Sequence, residues 1–168
     1  CIRDSFFIDE THNKNLINFL PIRSDNLKLL GVWSFNHRAS KFGSKVSGNT
    51  IDAINFYRDW FSENNERCIV AGDFNNSIIW DKKDNDNNFN NINGHFVDLG
   101  FVSNYHKLKV EDFGKESSAT FFHTKKESKK YHIDYIYSKN LNPLDLKVGS
   151  YSEWISYSDH SPLIAELD

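Results

Sequence analysis

Short apolar runs separated by polar turns dominate the hydrophobic pattern of this chain. Residues 16–22 and 27–34 are two such runs, and the residues between them at 24–26 (Ser, Asp, Asn) are turn formers. Two runs joined by a short turn predict a β-hairpin. Residues 67–71 are wholly apolar after the first position, which is typical of a central strand. The remaining strands are predicted at residues 119–123, 131–137, 146–150 and 163–167.

Two segments repeat their apolar residues at helical spacing. Residues 50–61 predict one helix, for which Asn49 or Thr50 is a suitable N-cap. Residues 89–99 predict a second helix, and Gly100 supplies its C-terminal stop. Residues 81–93 are rich in Asn and Asp and are expected to form a solvated loop. The order β-β-α-β-α-β-β-β-β favours an α+β layered sandwich with its active loops at one edge.

Length and composition narrow the class of protein. The chain has 168 residues, enough for a single domain over residues 1–168 with a sizeable core. Its 14 Phe, 7 Tyr and 4 Trp are expected mainly to fill that core. Two Cys exclude a disulfide framework and favour a reducing, cytoplasmic compartment. No apolar stretch approaches transmembrane length, so no membrane segment is expected.

The net charge of −3 gives no sign of nucleic-acid binding through bulk electrostatics. A bound metal and a local basic loop, here residues 125–130, can still attract a phosphodiester. A lysine-rich turn of this kind is usually only solvated. The charge balance therefore leaves the identity of the substrate open.

Three segments place a carboxylate beside an amide or imidazole at one end of an apolar run. They are Gly-Asp-Phe-Asn at residues 72–75, His-Ile-Asp-Tyr at residues 132–135 and Ser-Asp-His at residues 158–160. Asp is a ligand that suits Mg²⁺ or Mn²⁺, and it can also orient or deprotonate a water. His can donate to a phosphate oxygen. Together the segments indicate metal-assisted phosphate chemistry.

Each segment has an ordinary structural interpretation when it is taken alone. The first can be a turn, the second a surface strand and the third a hydrophilic loop. If residues 131–137 form one strand, His132, Asp134 and Ile136 share a face. A carboxylate there needs a partner, and histidine is a natural one. The occurrence of all three segments in this order favours the functional interpretation.

In this combination, the segments resemble the endonuclease/exonuclease/phosphatase superfamily, which includes exonuclease III-like enzymes, apurinic/apyrimidinic endonucleases and pancreatic deoxyribonuclease. The resemblance covers residues 27–167. Further similarity to a largely uncharacterised bacterial subgroup lies at residues 31–33, 72–81, 103–106, 119–121 and 130–135. The fold that the resemblance implies is a four-layer α/β/β/α sandwich.

The resemblance also implies roles for individual residues. Asp73 would orient or deprotonate the attacking water, and Asn75 would help to position that water and stabilise the transition state. His160 would contact the scissile phosphate, with Asp134 holding its imidazole. Asp159 would take part in binding Mg²⁺ or Mn²⁺. These roles agree with the negative charge that phosphate oxygens gain in the transition state.

The chain also departs from the family pattern. The family carries an Asn near its first strand and a metal-binding Glu at the end of the next, both well before the strand that corresponds to residues 27–34. Too few residues precede that strand here, and Glu10 lies too close to the hairpin to replace the Glu. The expectation is therefore the C-terminal portion of a longer domain that begins upstream of Cys1 and lacks its N-terminal strands here.

One further group of candidate substrate contacts follows the predicted strand at residues 27–34. Asn36, His37 and Arg38 lie where the family often places a phosphate-contacting residue, although a polar loop explains them equally well.

The function predicted from the sequence is a divalent-metal-dependent phosphodiester hydrolase, with a nuclease acting on DNA as the favoured form. A phosphatase or phospholipase-like enzyme of the same superfamily is the alternative within this fold. A binding module that keeps the loops without a complete metal site is the alternative from another class.

Overall fold

A large mixed sheet organises the chain, as seen in a computed structural model that describes residues 5–35, 47–63, 66–83, 85 and 87–168. Its strands are β1 (Phe7–Ile8), β2 (Phe19–Arg23), β3 (Leu27–Trp33), β4 (Arg67–Asp73), β5 (Val102–Ser103) and β8 (Asp134–Lys139). Their order in the sheet is β1-β2-β3-β4-β8-β5. Strands β3 and β4 are parallel, and the other neighbours pair antiparallel.

Two smaller antiparallel pairs and five short helices complete the described structure. The pairs are β6 (Phe121–Phe122) with β7 (Lys130–Tyr131), and β9 (Pro143–Val148) with β10 (Leu163–Leu167). The helices are α1 (Thr50–Phe56), α2 (Arg58–Ser62), α3 (Phe89–Asp98), α4 (Asn104–Lys109) and α5 (Tyr151–Trp154). Within the described part of the chain, no helix is long and apolar enough to cross a bilayer.

The main core lies between one face of the large sheet and helices α1 to α3. Alternation along the strands directs Val70 of β4 and both Tyr135 and Tyr137 of β8 to this face. The Tyr135 ring stacks on Phe89, with centroids 4.6 Å apart, and the Tyr137 ring stacks on Phe96 at 4.5 Å. The aromatic residues thus fill the core, as the composition predicts.

The small β9–β10 sheet lies toward the opposite face of the large sheet. Ala71 of β4 and Ile136 of β8 line a common cavity with Leu163 of β10. The order of layers is therefore helices, large sheet, small sheet. The predicted α+β layered sandwich is confirmed, with a second sheet of two strands in the described residues.

Several local predictions are confirmed. Strands β2 and β3 form the expected hairpin, with Phe19 opposite Val32. Asn49 caps α1, because its side-chain oxygen accepts a hydrogen bond from the Ile51 amide at 2.8 Å. The helix predicted over residues 50–61 exists as two helices, since the backbone departs from helical geometry at the fully buried Tyr57.

The single strand predicted over residues 131–137 is wrong, because the chain leaves the strand conformation at residues 132–133. Strand β7 pairs with β6, whereas β8 belongs to the large sheet. His132 therefore does not share a face with Asp134. It is buried, and its Nδ1 lies 2.8 Å from the Ser118 carbonyl oxygen.

The loop predicted over residues 81–93 ends earlier than expected, at the start of α3. Both Asp81 carboxylate oxygens accept hydrogen bonds from the first turn of that helix, from the Phe89 amide at 2.6 Å and the Asn90 amide at 2.9 Å. The sequence prediction also missed β1, β5, α4 and α5. Elements of two to six residues are too short to show a hydrophobic period.

Candidate active site

The Gly-Asp-Phe-Asn segment forms the end of β4, and each of its residues has a distinct structural task. Gly72 has φ +142°, and a Cβ atom there would lie 2.0 Å from the Val32 carbonyl oxygen, so only glycine fits beside β3. Phe74 is fully buried and packs edge-on against Tyr135, which anchors the segment. Asp73, between them, lies on the sheet face opposite the helices.

Asn75 follows in the left-handed region, with φ 46°, a conformation that Asn tolerates better than most residues. Its amide nitrogen donates to the Ser34 carbonyl oxygen and to Asp73 Oδ2, both at 2.9 Å. Its backbone N–H donates to Asp73 Oδ1 at 2.7 Å. Because both hydrogens of the side-chain amide are engaged, the group that Asn75 can offer to a water is its carbonyl oxygen.

Strand register brings the second carboxylate to the first. Asp73 lies directly opposite Asp134 in the antiparallel β4–β8 pair. Both residues lie at the same edge of the sheet, the one where β4 ends and β8 begins. The segment between α5 and β10 then carries His160 onto Asp134. His160 Nδ1 lies 3.0 Å from Asp134 Oδ2 and 3.2 Å from Oδ1. One potential ligand atom from each of the three residues lies within 4.8 Å of the others.

The three residues alter one another's protonation. Burial, and secondarily the adjacent Asp134 carboxylate, raise the pKa of Asp73 to about 6. The hydrogen bond that His160 donates to the Asp134 carboxylate raises the pKa of His160 above its usual value, and the charge of Asp134 adds to the effect. The arrangement therefore favours the protonated imidazole, with its Nδ1–H donated to Asp134, beside a carboxylate of unusually high basicity.

A cavity of about 480 Å³ opens beside this cluster. Asp134 and His160 supply its polar wall, while Ala71, Ile136 and Leu163 supply an apolar wall. The Phe121 ring packs against the His160 imidazole, with centroids 4.7 Å apart. The site is thus a polar cluster with one apolar side. Charges in this cluster interact more strongly than they would in bulk water.

The structure brings together four of the residues predicted from sequence. Asp73, Asn75, Asp134 and His160 all belong to this hydrogen-bonded group. Asp159 is outside the three-residue cluster, and its backbone carbonyl accepts a hydrogen bond from the Phe122 amide at 2.8 Å. Its metal-binding role stays a prediction. The candidate substrate contacts Asn36, His37 and Arg38 lie outside the described residues.

Sequence reasoning did not single out Ser34 or Phe121 for the site. The Ser34 carbonyl fixes the Asn75 amide, and the Ser34 amide donates to the Asp73 carbonyl oxygen at 2.8 Å. These are backbone contacts, which leave no signature in residue type. Phe121 lies in a predicted strand, but nothing in that strand indicates that its ring contacts His160.

The cluster's donor set fits a divalent cation. The carboxylates of Asp73 and Asp134 provide oxygen ligands, which Mg²⁺ and Mn²⁺ prefer, and Mg²⁺ is usually held by only one or two carboxylates, together with waters and substrate phosphates.

Comparisons with known proteins bear on the fold. No known sequence family matches the chain, and no curated protein matches it. Among solved structures, the 3' phosphatase NExo from Neisseria, bound to a product DNA hairpin, is similar with a TM-score of 0.67 and 16% identity, over 99% of this chain and 71% of that one.

Two further structures show the same similarity at lower scores. An AP endonuclease from Archaeoglobus fulgidus has a TM-score of 0.55 and 14% identity, over 98% of this chain and 70% of that one. An endonuclease/exonuclease/phosphatase protein from Beutenbergia cavernae has a TM-score of 0.57 and 14% identity, over 98% and 44%. The chain therefore has the endonuclease/exonuclease/phosphatase fold, as the sequence resemblance implies.

Proposed function

We propose that this chain is a divalent-metal-dependent phosphoester hydrolase that acts on DNA. One observation carries the proposal: the Asp73–Asn75 and Asp134–His160 pairs, which are remote in sequence, meet at one edge of the large sheet beside an open cavity. Two carboxylates, an amide and an imidazole are the groups needed to activate a water and stabilise a phosphorane-like transition state.

Asp73 is the general base of the proposed reaction. Its raised pKa of about 6 leaves it largely ionised at neutral pH, yet basic enough to accept a proton from water. The Asn75 carbonyl oxygen, oriented by its amide contacts, accepts the other hydrogen of that water. The water oxygen then bonds to phosphorus as the ester P–O bond breaks, and the ester oxygen leaves as an alkoxide that takes a proton from solvent.

His160 stabilises the charge that develops on the phosphate. Its Nδ1 is occupied by Asp134, so Nε2–H is the donor available for a phosphate oxygen. Asp134 keeps the ring oriented and favours its protonated form. The imidazole is thus oriented by Asp134 before the reaction begins, which is how preorganised donors lower a barrier.

A metal ion fits beside these groups. Asp73 and Asp134 would hold it, and Asp159, next to His160 in the chain, is the further carboxylate predicted from sequence. When bound, Mg²⁺ or Mn²⁺ supplies Lewis-acid stabilisation of the phosphate oxygens.

DNA is favoured as the substrate because two of the similar structures are described as a DNA-bound 3' phosphatase and an AP endonuclease. The first of these also supports a second candidate function, the removal of a 3'-phosphate from a DNA end. The two activities differ only in the group that leaves phosphorus, so the same cluster serves either.

The test is a panel of substrates with the full chain in Mg²⁺ or Mn²⁺, with EDTA as the metal-free reference. The panel holds duplex DNA, a DNA with a 3'-phosphate, an abasic duplex, RNA, a phosphoinositide and sphingomyelin. We expect turnover on one or more of the DNA substrates, and a loss of about 100-fold or more in His160→Ala or Asp73→Asn.

Asp145→Asn is the matched control, because Asp145 is an exposed carboxylate on β9 that pairs only loosely with Lys147, at 3.5 Å. Turnover of the phospholipids alone would reject DNA as the substrate. Turnover that survives EDTA or both site substitutions would reject the hydrolase mechanism, and millimolar Mg²⁺ binding without any turnover would favour the binding module.

A further inference from the structure

Thr120 contacts both of the segments that form the His160–Asp134 pair. It is fully buried, and it lies one residue before β6. Its hydroxyl oxygen accepts hydrogen bonds from the Ile133 amide at 3.0 Å and the Asp134 amide at 3.1 Å. Its carbonyl oxygen accepts one from the Ser161 amide at 2.8 Å. Through its hydroxyl and its carbonyl group, Thr120 therefore links Asp134 to Ser161, the residue that follows His160.

The Thr120 hydroxyl accepts these two hydrogen bonds at the point where the chain passes from the β6–β7 pair to the large sheet. Strand β7 pairs with β6, and β8 belongs to the large sheet, so the chain crosses between them at residues 132–133. Buried amide groups at such a crossing need acceptors, because an unpaired buried N–H costs about 1–3 kcal/mol. A threonine oxygen has two acceptor sites, which is the number required for Ile133 and Asp134.

Two adjacent amides that share one acceptor fix the backbone from which the Asp134 side chain projects. The carbonyl of the same threonine fixes the backbone at Ser161, directly after His160. His160 and Asp134 are 26 residues apart in the chain, so their 3.0 Å contact depends on how these two segments are held together. Phe121, the next residue, adds a bridge and a ring contact to His160.

We infer that Thr120 is a positioning residue that sets the geometry of the His160–Asp134 hydrogen bond. It touches neither the carboxylate nor the imidazole, and it acts only through the backbone of the two segments. Its catalytic consequence rests on the function proposed above, whereas its effect on the hydrogen bond does not.

Two substitutions separate the effect of the Thr120 hydroxyl from the effect of the volume of its side chain. Thr120→Val keeps the volume and removes the acceptor, and Thr120→Ser restores the acceptor with a smaller side chain. Tyr137→Phe is the stability control: it removes a buried hydroxyl, 3.0 Å from Asn93 Oδ1, from the same strand β8 but on the opposite face.

The first readout is nuclear magnetic resonance of the full chain without metal. In Thr120→Val, we expect amide hydrogen exchange at Ile133 and Asp134 to be about tenfold faster or more, and the downfield Nδ1–H resonance of His160 to be lost. Thr120→Ser should retain that resonance, and so should Tyr137→Phe. A His160 resonance that is unchanged in Thr120→Val would overturn the inference.

The second readout is turnover at saturating substrate and metal. We expect kcat to fall about 10–100-fold in Thr120→Val with KM nearly unchanged, as for other residues that orient a site from behind. Thr120→Ser should recover most of kcat, and Tyr137→Phe should keep kcat despite a lower melting temperature. Equal loss of kcat in Val and Ser variants would overturn the role of the hydroxyl.

These readouts also separate failure of this inference from failure of the proposed function. If the wild-type chain hydrolyses no phosphoester, the proposed function fails. The exchange and resonance measurements still decide whether Thr120 positions the pair.

Discussion

At the scale of single residues, neighbouring ionisable groups in the candidate site shift one another's pKa values. Asp73 is half-buried, and this partial burial, with a second contribution from the adjacent Asp134 carboxylate, raises its pKa. His160 is held by the same Asp134 carboxylate, which raises the pKa of the imidazole. Asp134 therefore contributes to both pKa shifts. Ionisable groups with shifted pKa values that share a cleft are typical of functional sites. Their pKa shifts also make the free energy of unfolding depend on pH.

We predict that Asp73→Asn stabilises the protein at neutral pH in metal-free buffer. The folded pKa of about 6 lies above 3.8, the usual pKa of this carboxyl, so between these pH values the folded state holds a proton that the unfolded state has released. This contribution is lost as pH rises from 3.8 through 6, and it amounts to about 2–3 kcal/mol. Asn retains an acceptor but cannot ionise.

Urea unfolding at pH 4.5 and pH 7.5 measures this effect. The wild type should lose more stability between the two values than Asp73→Asn, while Asp145→Asn should follow the wild type. Parallel losses in wild type and Asp73→Asn would contradict the pKa assigned to Asp73.

The pKa of His160 gives a second residue-scale prediction. Because the hydrogen bond with Asp134 is the leading cause of its raised pKa, Asp134→Asn should lower that pKa toward 6.5. The stabilisation by the protonated ring, present below the unfolded pKa and lost as pH rises through the folded pKa, should then shrink. Imidazole proton shifts against pH measure the change, with Asp112→Asn as a remote control. A His160 titration unmoved in Asp134→Asn would count against the pairing.

At the scale of elements, the close approach of β3 and β4 decides whether the site can form. The parallel register places Val32 beside Gly72 and Trp33 beside Asp73. Any side chain at Gly72 would have to displace the Val32 backbone, and with it the Ser34 carbonyl that orients Asn75. The glycine before Asp73 is therefore a requirement of strand packing.

We predict that Gly72→Ala costs about 3 kcal/mol or more in free energy of unfolding, because the added Cβ meets backbone and the φ of +142° is strained for alanine. Gly94→Ala is the matched control, since a Cβ there meets nothing within 4 Å and α3 gains helix propensity of about 0.5–1 kcal/mol. Equilibrium urea unfolding compares the two, and a loss below 1 kcal/mol in Gly72→Ala would contradict the close approach.

At the scale of the whole molecule, a buried lysine joins the sheet to the helices far from the site. Lys28 of β3 is fully buried, and its Nζ donates to the Trp60 carbonyl of α2 at 2.5 Å. The same ammonium pairs with Glu63 at 3.0 Å and with Glu66 at 3.1 Å. Arg23 of β2 makes a two-pronged contact to Glu66. This network ties β2 and β3 to α2 and to the residue that precedes β4.

We predict that Glu66→Ala lowers the free energy of unfolding by about 3 kcal/mol, because it removes one partner of a buried charge. Asp112→Ala, which breaks the exposed pair with Lys115, should change it by less than about 1 kcal/mol. Thermal and urea unfolding measure both variants. Similar small effects in the two variants would show that Glu63 alone compensates Lys28.

Much of the site and fold followed from the sequence. The continuous apolar run of β4 and the helical spacing of α3 are local signals of burial, so both elements were predictable. The residue types at Asp73, Asn75, Asp134 and His160 indicated phosphate chemistry for the same local reason: each adjoins an apolar run. The two-residue strands and the six-residue α4 have no period to detect, and they escaped prediction.

The sequence alone indicated Asp73, Asn75, Asp134 and His160 as candidate site residues, because residue type and short-range pattern are properties of the sequence. Only the tertiary structure decided that His132 leaves the face of Asp134 and contacts the Ser118 carbonyl oxygen instead, and that Thr120 joins the segments of Asp134 and His160. Both outcomes depend on strand register and on a chain crossing between sheets. These are contacts between residues distant in sequence, and packing selects them from many arrangements that satisfy the same local pattern.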